Sequence, residues 1–221
     1  MIVKKIYIHS SKKQVPKKVI LFFAGWGMDE HPFMKYRPKD ADLIVVYDYR
    51  TLDFDEQIIA EYDEIKVIGW SMGVWAASQV LQNKNYPIVQ SYAINGTQFP
   101  VDDNKGIACN IVEGTLQHLN EKTLYKFRRR MCATNAVFTH FTASLPKRNI
   151  ADLKDELIKI CEQSKELLPA DFEWNKVYIS KGDRIFLPEN QILGWEEKVY
   201  TLMDEGHYPM ELFQKLLGWS G

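Results

Sequence analysis

Ile65-Lys66-Val67-Ile68-Gly69-Trp70-Ser71-Met72-Gly73-Val74-Trp75-Ala76-Ala77-Ser78-Gln79-Val80 reads as a buried strand, a sharp turn centred on a serine, and a helix. That order, with glycine two residues before and two after the serine, has the form of a nucleophile elbow. The requirement is steric. The turn pushes the serine hydroxyl outward, and side chains at positions 69 and 73 would collide with neighbouring backbone, so both are glycine.

Around this segment, short runs rich in Val, Ile and aromatics recur: Val3 to Ile8, Val19 to Phe23, Leu43 to Tyr47, Val89 to Ile94, Val177 to Ile179 and Val199 to Leu202. With Ile65 to Ile68 they make seven candidate strands. Most are apolar on both faces and separated by helical patterns, which indicates an α/β chain with a buried, mostly parallel sheet. The first two strands are joined by a polar segment around Lys12 to Lys18, too short for a crossover helix, and are expected to form an antiparallel hairpin at the sheet edge.

The spacing breaks once. Between Ile94 and Val177 no convincing strand occurs, and Leu124, Phe127 and Met131, then Leu153, Leu157, Ile160 and Cys161, repeat with helical period. Residues 100 to 170 are therefore expected to be a helical cap inserted into one domain spanning 1–221.

A nucleophilic serine needs a base and an oriented acid, which in this architecture follow in the order Ser, Asp or Glu, His. Asp183 ends the run Val177-Tyr178-Ile179-Ser180-Lys181-Gly182-Asp183, and His207 ends Thr201-Leu202-Met203-Asp204-Glu205-Gly206-His207. Both sit just past the carboxyl end of a strand, where open α/β sheets gather functional groups. His9, His31, His118 and His140 lack that combination. For the acid, Asp204 and Asp171 remain rivals to Asp183. Backbone donors for an oxyanion are expected from Met72, after the serine, and from Trp26 in the glycine-bearing loop Ala24-Gly25-Trp26-Gly27.

Charge narrows the class. With 28 Lys+Arg against 29 Asp+Glu the net charge is −1, so no overall field holds a nucleic acid. Three widely spaced cysteines, Cys109, Cys132 and Cys161, suggest neither a disulfide framework nor a zinc site, and no metal or organic cofactor is implied. No apolar run is long enough to cross a bilayer, and Met1 to Ser10 lacks the form of a secretory signal, so the cytoplasm is the expected location. One local feature is strongly basic: Lys122, Lys126, Arg128, Arg129 and Arg130, five cations against the single Glu121. Lys122, Lys126 and Arg129 or Arg130 share one helical face, suited either to solvent or to an acidic partner.

The pair Phe22-Phe23-Ala24-Gly25-Trp26-Gly27-Met28-Asp29 and Gly69-Trp70-Ser71-Met72-Gly73, in so short a chain, resembles the BioG family of pimeloyl-acyl-carrier-protein methyl ester esterases, and more distantly the BioH esterases. The resemblance spans essentially the whole chain and implies an α/β-hydrolase fold of about seven strands with a helical cap. It implies Ser71 as nucleophile, His207 as base, Asp183 as orienter and Trp26 and Met72 as oxyanion donors, in a serine esterase of biotin synthesis. It also implies an acidic acyl carrier protein as partner, received by Lys126, Arg128, Arg129 and Arg130. Ala24 departs from the histidine that many α/β-hydrolases carry there, which changes how the loop is braced. Trp70, Trp75, Phe138 and Phe141 are expected to wall the acyl site, though each also suits ordinary core. Two other readings stay open: a carrier thioesterase or broad carboxylesterase on the same scaffold, and a non-catalytic hydrolase-like binding module.

Overall fold

The structure, a computed structural model, describes residues 1–8, 17–196 and 198–218. Seven strands form one sheet: β1 (Ile2–Tyr7), β2 (Lys18–Phe23), β3 (Asp42–Tyr47), β4 (Glu64–Trp70), β5 (Ile88–Ile94), β6 (Lys176–Ser180) and β7 (Tyr200–Met203), in the order β1-β3-β2-β4-β5-β6-β7. All pairings are parallel except that of β1 with β3. β3 is buried along its whole length and β2 along all but its first residue, as strands covered by helices on both faces require.

The expected hairpin of the first two strands is not formed. β1 pairs antiparallel with β3, and β2 lies inside the sheet between β3 and β4. The reason is burial: β2 is apolar on both faces and takes a place with two neighbours, whereas β1, bearing Lys4 and Lys5, suits a solvated edge. Residues 9–16 of the polar link lie outside the described residues.

Register brings the strand ends level with one another. Phe23 is opposite Gly69, Trp70 opposite Ile94, and Ser180 opposite Met203. The carboxyl ends of β2, β4, β5, β6 and β7 therefore finish along one rim of the sheet, and the loops that leave them share it. Helix α1 (Met72–Leu81) leaves β4 at that rim and runs back, packing against β4 and β2.

Between β5 and β6 the chain makes four helices: α2 (Cys109–His118), α3 (Glu121–Met131), α4 (Asn135–Thr142) and α5 (Ile150–Glu166). Asn120 starts α3 with a capping box to Thr123, and Asn149 caps α5 through the Asp152 amide. The buried stripe of α5 is Leu153, Leu157 and Ile160, with Glu156 between. Glu156 accepts from Arg148 at 2.5 Å and from the Tyr49 amide at 2.9 Å, and Arg148 also reaches Asp48 at 3.2 Å. Burial raises the Glu156 carboxyl above its ordinary range, with Arg148 opposing. This network fastens α5 to the loop after β3. Helix α6 (Pro188–Trp195) precedes β7, and α7 (Met210–Leu217) closes the described chain.

Candidate active site

Ser71 stands between β4 and α1 with φ 57° and ψ −128°, a conformation that a non-glycine residue adopts only under strain. The two glycines permit the turn. A Cβ at Gly73 would overlap the Phe23 carbonyl oxygen, and one at Gly69 would lie 2.8 Å from the Trp174 ring and 2.9 Å from the Val74 Cα. The close approach of three chain segments, not the turn alone, excludes side chains at both positions.

His207, on the loop after β7, lies with Nε2 3.0 Å from the Ser71 Oγ and Nδ1 2.8 Å from Asp183 Oδ2. All three residues are buried. With Nδ1 donating to the carboxylate, Nε2 is left to accept from the serine hydroxyl. Asp183 Oδ1 accepts the Ile185 and Phe186 amides at 2.8 and 2.9 Å, and Oδ2 also takes a hydrogen bond from Gln191 at 3.1 Å. The carboxylate is thus held in place by three donors besides the imidazole. The rival acids stand elsewhere: Asp204 is exposed and paired with Lys181 at 2.8 Å, and Asp171 is exposed.

Two residues fix the His207 backbone. Its carbonyl accepts from the Trp70 indole at 2.7 Å and from Asn95 Nδ2 at 3.0 Å. Asn95 is fully buried at the end of β5, with φ 49°; it also donates to Ser180 Oγ and the Gly206 carbonyl, and accepts the Ser180 amide at 2.8 Å. One amide side chain thereby ties the ends of β5 and β6 to the loop that carries the imidazole. Sequence reading missed Asn95 and Gln191. The one local signal was Asn95-Gly96 directly after a strand, which by itself marks only a turn.

The Met72 and Trp26 amides border the space above Ser71 and make no other hydrogen bond with described residues. The Trp26 loop is braced in a way that answers the Ala24 departure: the buried Tyr49 hydroxyl donates to the Ala24 carbonyl at 2.6 Å, while the Trp26 indole donates to the Leu153 carbonyl of α5 at 2.9 Å. This arrangement offers a hydroxyl nucleophile, a base, an orienting carboxylate and two free backbone donors in one place, the set that acyl transfer requires.

The chamber above Ser71 is apolar. Ile111, Val112 and Thr115 of α2 and Phe127, Arg130 and Met131 of α3 close it, with Leu157 of α5 and Ile185 behind Asp183. Trp70 lines it as expected. Trp75, Phe138 and Phe141 do not. Trp75 is buried on α1 as core, the Phe141 ring packs on Tyr208 at 5.1 Å, and Phe138 carries the Arg129 guanidinium on its face at 5.4 Å. Two grooves, of about 420 and 470 Å³, flank α3, and Lys126 and Arg130 line both.

The basic run is divided by helical geometry. Lys126, Arg129 and Arg130 border the grooves, but Arg128 points into the body, half-buried, with Nη2 toward the Pro146 carbonyl at 3.4 Å. Burial lowers its guanidinium below the usual range. Arg128 therefore leaves the expected carrier-binding set. Among the described residues one group, Asp29, Glu30 and His31, brings three potential metal-ligand atoms within 4.8 Å. Its carboxylates are engaged by the protein: Asp29 accepts the Lys147 and His31 amides, and Glu30 accepts the Tyr47 hydroxyl.

A family model described as pimeloyl-ACP methyl esterase BioG matches residues 8–221. The malonyl-acyl-carrier-protein O-methyltransferase of Bacteroides fragilis (strain 638R) is 50% identical over 203 residues, which cover 91% of this chain and 41% of that protein. The chain thus spans about two fifths of that relative's length. The crystal structure of SeMet-BioG from Haemophilus influenzae superposes with a TM-score of 0.82 at 33% identity, covering 94% of both chains. A bromoperoxidase from Bacillus anthracis, 12% identical with a TM-score of 0.60 over 86% of this chain and 85% of its own, shares the fold.

Proposed function

The chain belongs to the BioG family of pimeloyl-ACP methyl esterases, an α/β-hydrolase family, and from that membership we propose that it is a serine esterase removing the methyl group from pimeloyl-acyl-carrier-protein methyl ester in biotin synthesis. The observation that carries this reading is the unbroken relay from Asp183 through His207 to Ser71, opening on an apolar chamber beside two free amides.

In this mechanism the Ser71 hydroxyl passes its proton to His207 Nε2 as the oxygen attacks the ester carbonyl. The Met72 and Trp26 amides receive the negative oxygen, and His207 returns the proton to the departing methanol. Water, activated by the same imidazole, then releases the carboxylate from Ser71. The apolar walls suit the methylene chain and its neutral ester, and disfavour the charged product, which promotes its departure. The acyl group enters past Phe127, whose ring borders both the chamber and the groove between α2 and α3. Lys126, Arg129 and Arg130 face the acidic carrier on the outside.

The test is incubation with the carrier-bound methyl ester followed by intact-mass measurement. Loss of one methylene unit from the carrier is the expected result. Release of the whole acyl group makes the protein a thioesterase, and no change, with no labelling of Ser71 by a fluorophosphonate, makes it a binding module.

A further inference from the structure

The groove of about 470 Å³ on the outer flank of α3 has a composition that the basic run of α3 does not explain. Lys126, Arg129 and Arg130 form one wall, and the opposite side is supplied by the sheet: Gly182 and Arg184, on the loop after β6. Four cations border one groove and no acidic side chain does. The Arg184 side chain is exposed and makes no hydrogen bond or ion pair with any described residue, and the same holds for the side chains of Lys126 and Arg130. Asp183, the chain neighbour of Arg184, forms no ion pair with it: its oxygens are turned to the Ile185 and Phe186 amides, Gln191 and His207. Asp204 and Glu205, on the loop after β7, do not line the groove: Asp204 pairs with Lys181, and Glu205 accepts the amides of Glu211 and Leu212. Like charges crowded without a counter-charge repel one another, so the arrangement stores a preference for an anionic surface.

We propose that Arg184 is a docking residue for the acidic carrier protein, which therefore straddles the seam between the helical insertion and the sheet instead of resting on the insertion alone. This rests on the esterase reading and deepens it. Its consequence is positional. The carrier grips, on one side, the helix that roofs the nucleophile and, on the other, the loop that holds the orienting acid, so docking sets the distance between roof and floor at the moment the acyl arm is delivered.

The experiment compares wild type, Arg184→Glu and Arg184→Lys on three methyl esters: the carrier-bound one, the same acyl group on free phosphopantetheine, and dimethyl pimelate. The expected result is that Arg184→Glu lowers the preference for the carrier-bound ester over dimethyl pimelate about tenfold, through KM, that the phosphopantetheine ester keeps its preference, and that Arg184→Lys retains most of the wild-type behaviour. An unchanged preference overturns the proposal. So does an equal loss with the phosphopantetheine ester, which would make Arg184 a reader of the arm's phosphate, and so does an equal loss on all three. If wild type removes no methyl group, the esterase reading fails by itself. Titration of unloaded acyl carrier protein then still decides the role of Arg184: weaker binding by Arg184→Glu supports it, and equal Kd overturns it.

Discussion

The rim of the sheet and the helical insertion above it are held by different forces. On the rim, each functional group is fixed by directional bonds: Asp183 by three donors besides the imidazole, and the His207 carbonyl by Trp70 and Asn95. In the insertion, α5 is fastened by the Arg148, Glu156 and Asp48 network, but α2 buries only Val112 and α3 only Leu124 and Met131. A buried, fully satisfied hydrogen-bond network is costly to break at any one member, whereas a region with few buried apolar contacts rearranges at smaller cost. The lesson is a division of labour: geometry is stored in the sheet, and in the proposed reaction α2 and α3 are the elements free to give way to substrate.

Substitutions break or sharpen this contrast. Ser71→Ala should have the largest effect, a loss of about 10⁴-fold or more in kcat on carrier-bound and free methyl esters alike, read by methanol release. Next is Asn95→Ala on the rim. It leaves the Ser180 amide and two carbonyls short of a partner, so we expect kcat to fall by about 10- to 100-fold with KM little changed and stability to drop by about 1–3 kcal/mol, measured by denaturant unfolding. An Asn95→Ala enzyme that lost substrate affinity but kept kcat would remove Asn95 from the positioning role.

Within α3 the two arginines separate. Arg130→Glu should raise KM for the carrier-bound ester about tenfold, with little change in stability, because its side chain is exposed and unpaired. Arg128→Ala should do the reverse: about 1 kcal/mol of destabilisation and unaltered carrier preference, since its half-buried stem packs inward. The smallest effect belongs to Phe127→Ala. Removing the ring that packs on Trp26 at 5.3 Å should widen acceptance of bulkier acyl chains a fewfold in kcat/KM at about 1 kcal/mol of stability. A narrower acyl range in that variant would contradict its place on the acyl path.

How much of this was legible beforehand follows the same division. The elbow could be read from Ser71 and its two glycines because the constraint is local and steric, and the order of Asp183 and His207 followed from the strand ends that carry them. Seven strands were visible in their burial, but the partner of β1 was not, because edge pairing is decided by which strand tolerates solvent. In the insertion, α2 escaped notice: Cys109–His118 mixes Gly114 and polar residues with a weak apolar stripe. Phe138 and Phe141 looked like wall residues, yet face Arg129 and Tyr208, since composition does not say which way a helix is rotated. Asn95 and Arg184 could not be singled out because their meaning lies in partners distant in the chain.

One bond has an evolutionary corollary. Trp70 directly precedes Ser71, and its indole grasps the carbonyl of His207, so hydroxyl and imidazole travel as a single piece whatever lies overhead. Lineages could therefore exchange the overlying helices, and with them the clientele, while inheriting the reactive platform intact; grafting a foreign lid onto this sheet is the engineering counterpart of that freedom.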